Sequence, residues 1–428
     1  MTMDLHEMER LLAHECARHN RASLFSSGCY SGTCNSKWSI LAGWDAMDEL
    51  ILKPGSPIEE MDAFIHKHKE RWVMGHFTYE FGHSLEPSFR GQTESSGTFE
   101  PASLFVPRFV SGVGPSGGFH LDQRSGVRTT IEEFFAELKN RPTNEAGEPN
   151  IQWVDTEQGS EWKAYHLAFD KVKQHLLRGD IYELNYCLPF GLQGKITGPA
   201  ALWLRMQTLQ KAPMAALYRN ENAWLLCCSP ERFLKKTGNT LLTQPIKGTR
   251  PRGKSEEEDR MNRDELYRSE KERAENVMIV DLARNDLGRV ARTGSVVVQE
   301  LFGIHSFASV HQMISTVSAE LKEGITFTDI LKALFPMGSM TGAPKIRAME
   351  IIRETETQPR GLFSGTVGYI DPQGDFDFNV VIRSIIYDEA TSSILYPAGS
   401  AITAYSDPGQ EFEECLLKAR GMRKVLGV

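Results

Sequence analysis

Strand-like and helix-like runs do not alternate one for one along this chain, and that irregularity restricts the fold more than any single residue does. A helical run, EWKAYHLAFDKVKQHLLRGD, stops at Gly179 and leads directly into the strand-like IYELNYCLPFGL. The last third holds three strand-like segments in a row, GTVGYID, FDFNVVIRSIIYD and SSILYPAGSAITAY, and then a closing helix, GQEFEECLLKARGMRKVL. Strand pairs bracketed by helices, without a regular strand-helix-strand rhythm, favour antiparallel sheets over a doubly wound parallel one. The expected fold class is therefore α+β, layered, with antiparallel sheets flanked by helices. No internal repeat or low-complexity tract interrupts the chain.

With 428 residues the chain has room for two ordinary domains or one large one, and 40% apolar residues are enough to bury a core. The polar, turn-rich RPTNEAGEPN, Arg141 to Asn150, is the best boundary, dividing the chain into 1–150 and 151–428. A net charge of −8 gives no footprint for nucleic acid, although Lys247, Arg250, Arg252 and Lys254 form a local basic cluster suited to a small anion. The N-terminal MTMDLHEMERLLAHE reads as a charged amphipathic helix without a signal-peptide core, and no apolar run reaches membrane-spanning length. A soluble, cytoplasmic protein acting on a small negative substrate is expected. The seven cysteines form an odd set without zinc spacing and are read as reduced thiols.

Several residues carry chemistry that their local pattern leaves open. Glu272 with Glu275, and Glu411 with Glu414, are two pairs each spaced three apart on predicted helices, the first pair on one long helix that runs from EEEDRMN to VMIVDLA. Each pair is either a solvated acidic face or, if the two faces converge, an oxygen-rich site suited to Mg²⁺. In GAPK, Thr341 is the expected cap of a helix with Pro344 in its first turn; the helix start either receives an anion or is purely structural. Arg383 interrupts an apolar strand and needs a carboxylate, structural or bound. Glu231 follows the apolar AWLLCCS, where it is either an acid/base group of raised pKa or a salt-bridge partner in the region of Arg232. Lys247, in LTQPIKGTRPRG, reads as a surface charge, a phosphate clamp or a nucleophile. For the last role its amine has to be neutral, so the site must either depress its pKa, as burial would, or take a proton from it as substrate binds.

Taken in chain order, GDIYELN, SPERFL, PIKGTRPRG, ERAENVMIVDLARNDLGRV, GSMTGAPKIRAMEII, VVIRSI and SDPGQEFEECLLKAR resemble the chorismate-utilising enzymes, the family of anthranilate synthase component I, isochorismate and salicylate synthases and aminodeoxychorismate synthase component I. The resemblance runs from about Trp162 to the C-terminus and implies an anthranilate synthase component I-like fold. Anthranilate synthases carry PIAGT where this chain has PIKGT, which is similar to the aminodeoxychorismate branch. That branch converts chorismate and ammonia to 4-amino-4-deoxychorismate for 4-aminobenzoate and folate, with ammonia supplied by a separate glutamine amidotransferase subunit.

The resemblance further implies Mg²⁺ as cofactor, with Glu275 and Glu414 as ligands and Glu272 and Glu411 reached through water. It implies Lys247 as nucleophile and Glu231 as general acid/base. Arg383 and Lys418 would hold carboxylates of chorismate, Thr249 would line the pocket, and Gly399, Ser400 and Ala401 would lie against the substrate. Four positions depart from the family pattern: Phe363 replaces a tyrosine, Gln312 a histidine, Ser400 and Ala401 a glycine pair, and Glu183 a commoner glutamine. The lysine that activates water in the isochorismate branch is absent at Glu183. Anthranilate synthesis, or chorismate binding without catalysis, is the alternative.

Overall fold

The structure is a computed structural model that describes residues 4–28, 36–89, 97–123, 130–141, 149–155, 161–307 and 310–428. Among the described residues, eighteen strands join pair by pair into one branched antiparallel network, and Gly342–Ala343, Glu183–Leu188 and Ala398–Thr403 form a separate three-stranded sheet. Strands from early and late in the chain are neighbours: Arg21–Ser26 pairs with Met214–Asn220, and Val73–Phe77 with Thr366–Ile370. The turn-rich segment expected at the boundary lies mostly outside the described residues, as do Cys29 and Cys34. The other five cysteines are buried free thiols, used as small apolar side chains.

Helices cover the sheets as the α+β pattern requires. Leu5–Cys16, Glu161–Arg178, Pro199–Gln210 and Pro408–Leu426 bury Leu12, Val172, Trp203 and Met422 in one apolar cluster, while Glu270–Val290 and Phe327–Leu334 contribute Leu287 and Leu331 to a second. Among the described residues no helix is long and apolar enough to cross a membrane.

Where the structure differs from the sequence expectation, a backbone feature is responsible. IYELNYCLPFGL is two strands in two sheets, Glu183–Leu188 and Gly191–Thr197, because Pro189 has no N–H to continue the ladder. FDFNVVIRSIIYD divides into Phe376–Asn379 and Ser384–Asp388, with Arg383 between them at φ 53°. SSILYPAGSAITAY likewise supplies strands to both sheets, Ser393–Leu395 and Ala398–Thr403. The long acidic helix is two, Glu256–Arg268 and Glu270–Val290, broken at Ser269, whose extended backbone and hydroxyl cap the second. Pro344 is itself the N-cap of Lys345–Thr355, and Thr341 bonds instead to the carbonyls of Met337 and Gly338.

Candidate active site

The placement of Lys247 begins with a defect in a strand. Ile246–Pro251 pairs with Val310–Glu320, but the register slips between Ile246 and Thr249, and Gly248 there has φ 89°. The conformation strains any residue with a Cβ, and a Cβ on Gly248 would stand 2.9 Å from Leu266 Cδ1 and 3.0 Å from Glu272 Oε2, so those side-chain ends would have to move. Bulges of this kind redirect a neighbouring side chain. Lys247 is only 10% exposed, with Nζ 2.5 Å from Glu183 Oε1 and 4.0 Å from Glu275 Oε2.

Burial is the largest single influence on that amine and lowers its pKa, but Glu183, Glu275 and Glu414 together outweigh it and hold the value above that of an ordinary lysine. The expectation that burial would free the amine is therefore corrected: the lysine is buried beside carboxylates, and the resting group is an ammonium.

Glu231 is buried between Ala223–Ser229 and Arg232–Thr237. Arg232 is occupied by Asp377, 2.8 Å away, and by Gln244, which removes the salt-bridge alternative to that arginine. The partner of Glu231 is the Ser339 hydroxyl, which donates to Oε1 at 2.6 Å. Burial raises the carboxyl to about 7 against the opposing effects of Ser339, Lys247 and Lys418. A carboxyl in that range can donate a proton near neutral pH.

The two glutamate pairs come from helices far apart in sequence, Glu270–Val290 and Pro408–Leu426, yet one side chain links them. Lys271 Nζ lies 3.9 Å from Glu275 Oε1 and 3.4 Å from Glu411 Oε1. Glu272 faces Arg250 at 3.7 Å and Glu414 binds Lys418 at 2.6 Å. Burial, with Glu183 and Glu272 adding to it, raises Glu275 to about 7, and burial followed by Glu414 raises Glu411. Glu414 is lowered, because Lys418 and Lys271 overcome its burial.

Among the described residues no three acidic, histidine or cysteine side chains are gathered closely enough to hold an ion as they stand. The donor chemistry still fits Mg²⁺, because all four groups are hard oxygen donors and burial raises Glu275 and Glu411 above the ordinary carboxyl range in spite of the lysines beside them.

A second group of expected residues meets at the strand Ala398–Thr403. Lys418 Nζ donates to the Gly399 carbonyl at 2.7 Å, and Arg383 Nη1 to the Lys418 carbonyl at 3.3 Å. Burial lowers the Arg383 pKa against the attraction of Glu414. Ser400 is buried, its hydroxyl 3.3 Å from that of Tyr165, and Ala401 is buried beside it. Gly399 has its own reason to be glycine, since a Cβ would meet the Tyr186 carbonyl at 2.6 Å. Thr249 is exposed on its strand opposite Gln312. Gln312 and Phe363 are both buried.

Residue patterns alone left three further contacts unread. Lys271, four positions before Glu275, was open to inference from helical spacing. Ser339 and Glu183 were not, since each meets its partner only through the tertiary fold. GAPK is resolved toward structure: Lys345 is buried in an ion pair with Asp286 at 2.5 Å and donates to the Leu334 carbonyl.

The fold is that of anthranilate synthase component I, whose crystal structure from Streptococcus pneumoniae TIGR4 superimposes with a TM-score of 0.76 at 23% identity, covering 92% of this chain and 93% of that one. The chain belongs to the chorismate binding enzyme family, whose profile matches residues 27–424. It is similar to the chloroplastic aminodeoxychorismate synthase of Arabidopsis thaliana, 46% identical over 301 residues, 68% of this chain and 32% of that protein. It is also similar to aminodeoxychorismate synthase component 1 of Bacillus subtilis (strain 168), 40% identical over 262 residues, 61% of this chain and 55% of that protein. The matched stretches thus span about a third to a half of these relatives.

Proposed function

We propose that this chain aminates chorismate at C4, giving 4-amino-4-deoxychorismate, as the first component of a cytoplasmic aminodeoxychorismate synthase on the route to 4-aminobenzoate and folate. The observation that carries the reading is Lys247, turned inward by the bulge at Gly248 and buried among carboxylates where anthranilate synthases have alanine. Its amine adds to C2 of chorismate as both double bonds of the ring diene shift and the C4–O bond breaks, and Glu231 gives the departing hydroxyl its proton. Ammonia then adds at C4 and lysine leaves from C2. The division of one displacement into two is covalent catalysis, and while lysine occupies C2 that carbon is closed to ammonia.

Arg383 and Lys418 are the cations assigned to the substrate carboxylates, and Glu275 and Glu414, backed by Glu272 and Glu411, are the residues that would hold Mg²⁺. Bound there, Mg²⁺ would fix the ring carboxylate and draw electron density from the ring. Lys271 lies beside Glu275 and Glu411, and Lys418 beside Glu414. None of the five described cysteines sits in the glycine-flanked turn of an amidotransferase nucleophile, so ammonia is assigned to a separate glutaminase subunit.

Chromatographic analysis of the purified chain with chorismate, Mg²⁺ and ammonium tests this reading. The expected product is 4-amino-4-deoxychorismate with its pyruvyl group retained, and no product with glutamine in place of ammonium. Anthranilate with free pyruvate as the main products would contradict it.

A further inference from the structure

Lys247 has to be neutral to attack carbon, and a lysine amine is ordinarily protonated near neutral pH, so the proton needs an acceptor within reach of its Nζ. We propose that Glu183 is that acceptor, a catalytic base that takes a proton from Lys247 and returns it at the end of the cycle. This inference rests on the covalent reading above.

Geometry singles Glu183 out. Its Oε1 makes the shortest contact to Lys247 Nζ, 2.5 Å, against 4.0 Å for Glu275. The side chain is 1% exposed, so water does not compete for the proton. Its second oxygen, Oε2, is buried and makes no hydrogen bond among the described residues, leaving acceptor capacity unused. The backbone beneath it is held on both sides, opposite Ala343 in one neighbouring strand and Thr403 in the other. Gly342 packs so tightly there that a Cβ would lie 2.2 Å from the Glu183 carbonyl oxygen. Glu231, the other buried acid of the mechanism, is engaged by Ser339 and is needed in its protonated form.

The protons balance over the cycle. Lys247 ammonium and Glu183 carboxylate become amine and carboxylic acid when chorismate is bound. The amine forms the C2–N bond, the C4–O bond breaks, and the proton of Glu231 leaves with the hydroxyl as water. Ammonia then forms the C4–N bond while the C2–N bond breaks, and lysine departs as a neutral amine. The new C4 ammonium gives its extra proton to Glu231, and Glu183 returns its proton to Lys247.

The test is the rate of adduct formation with chorismate and Mg²⁺ but no ammonia, followed by rapid-quench mass spectrometry. Glu183→Gln keeps the size and one hydrogen-bond acceptor but cannot take a proton. Positioned proton transfer contributes roughly 10²–10⁴-fold, so the adduct should form at least ~100-fold more slowly. Chorismate binding by calorimetry should stay within a few-fold of the parent. Glu183→Asp should restore part of the rate, and it is the variant to read if Glu183→Gln does not fold.

A purely electrostatic role predicts the reverse, since removing the negative charge would release the amine. Adduct formation by Glu183→Gln at the parent rate or faster therefore overturns the proposal. A parent that makes 4-amino-4-deoxychorismate without any adduct overturns the covalent reading, and this inference with it.

Discussion

Two buried groups at the candidate site are pushed away from their ordinary ionisation, and both shifts leave the proton on. Glu231 is a carboxyl raised to about 7 mainly by burial; Lys247 is an amine whose carboxylate neighbours outweigh its burial. The folded chain therefore binds an extra proton at Glu231 between the ordinary glutamate range and about pH 7. Stability from this group is present at low pH and lost as pH rises through that window. Glu231→Gln should melt higher than the parent above pH 7, by up to ~3 kcal/mol, and the difference should vanish below about pH 4. The same variant should lose roughly 10²–10⁴-fold in turnover. Calorimetry across pH and steady-state assays check the two halves, and a variant no more stable at alkaline pH would show that the carboxyl is already ionised without cost.

At the scale of elements, what placed the side chains was mostly interruption: the bulge at Gly248, the cap at Ser269, the break at Pro189 and the left-handed residue at Arg383. Local sequence identified the types of these segments well, because alternation and helical spacing record which face is buried. It did not reveal where a run divides between two sheets. The apolar pattern around Arg383 places it inside a strand; in the fold it occupies the gap between two strands, where a left-handed backbone turns it toward Lys418. The acidic helix was read as continuous because its charges keep the same spacing across Ser269.

Gly248→Ala tests the bulge. The left-handed conformation costs a residue with a Cβ roughly 1–2 kcal/mol, and the contacts with Leu266 and Glu272 add to it. We expect a lower melting temperature and, because Lys247 is re-aimed, a fall in turnover of at least ~10-fold. A variant that is destabilised but fully active would detach the bulge from function.

For the whole molecule, the candidate site is assembled across long sequence distances: Glu183, Lys247, Glu275 and Glu414 lie on separate elements, and Glu231 and Arg383 in links between strands. The quoted motifs made these residues legible individually and, through family resemblance, as a set. The partnerships were not legible, because Lys247 with Glu183, Glu231 with Ser339, and Lys271 between Glu275 and Glu411 are fixed only by packing. Those partnerships bear on the two routes to a neutral amine: carboxylates beside Lys247 favour a proton taken from it over a pKa depressed by burial.

The most direct measurement of the central claim is peptide mass spectrometry after incubating the chain with chorismate and Mg²⁺ in the absence of ammonia. The account predicts a covalent adduct, chorismate less water, on the peptide containing PIKGT. Lys247→Ala should lose both the adduct and most formation of 4-amino-4-deoxychorismate, with a trace of anthranilate once C2 is open. No adduct on the parent under any ammonia-free condition, together with Lys247→Ala making 4-amino-4-deoxychorismate at the parent rate, would contradict it.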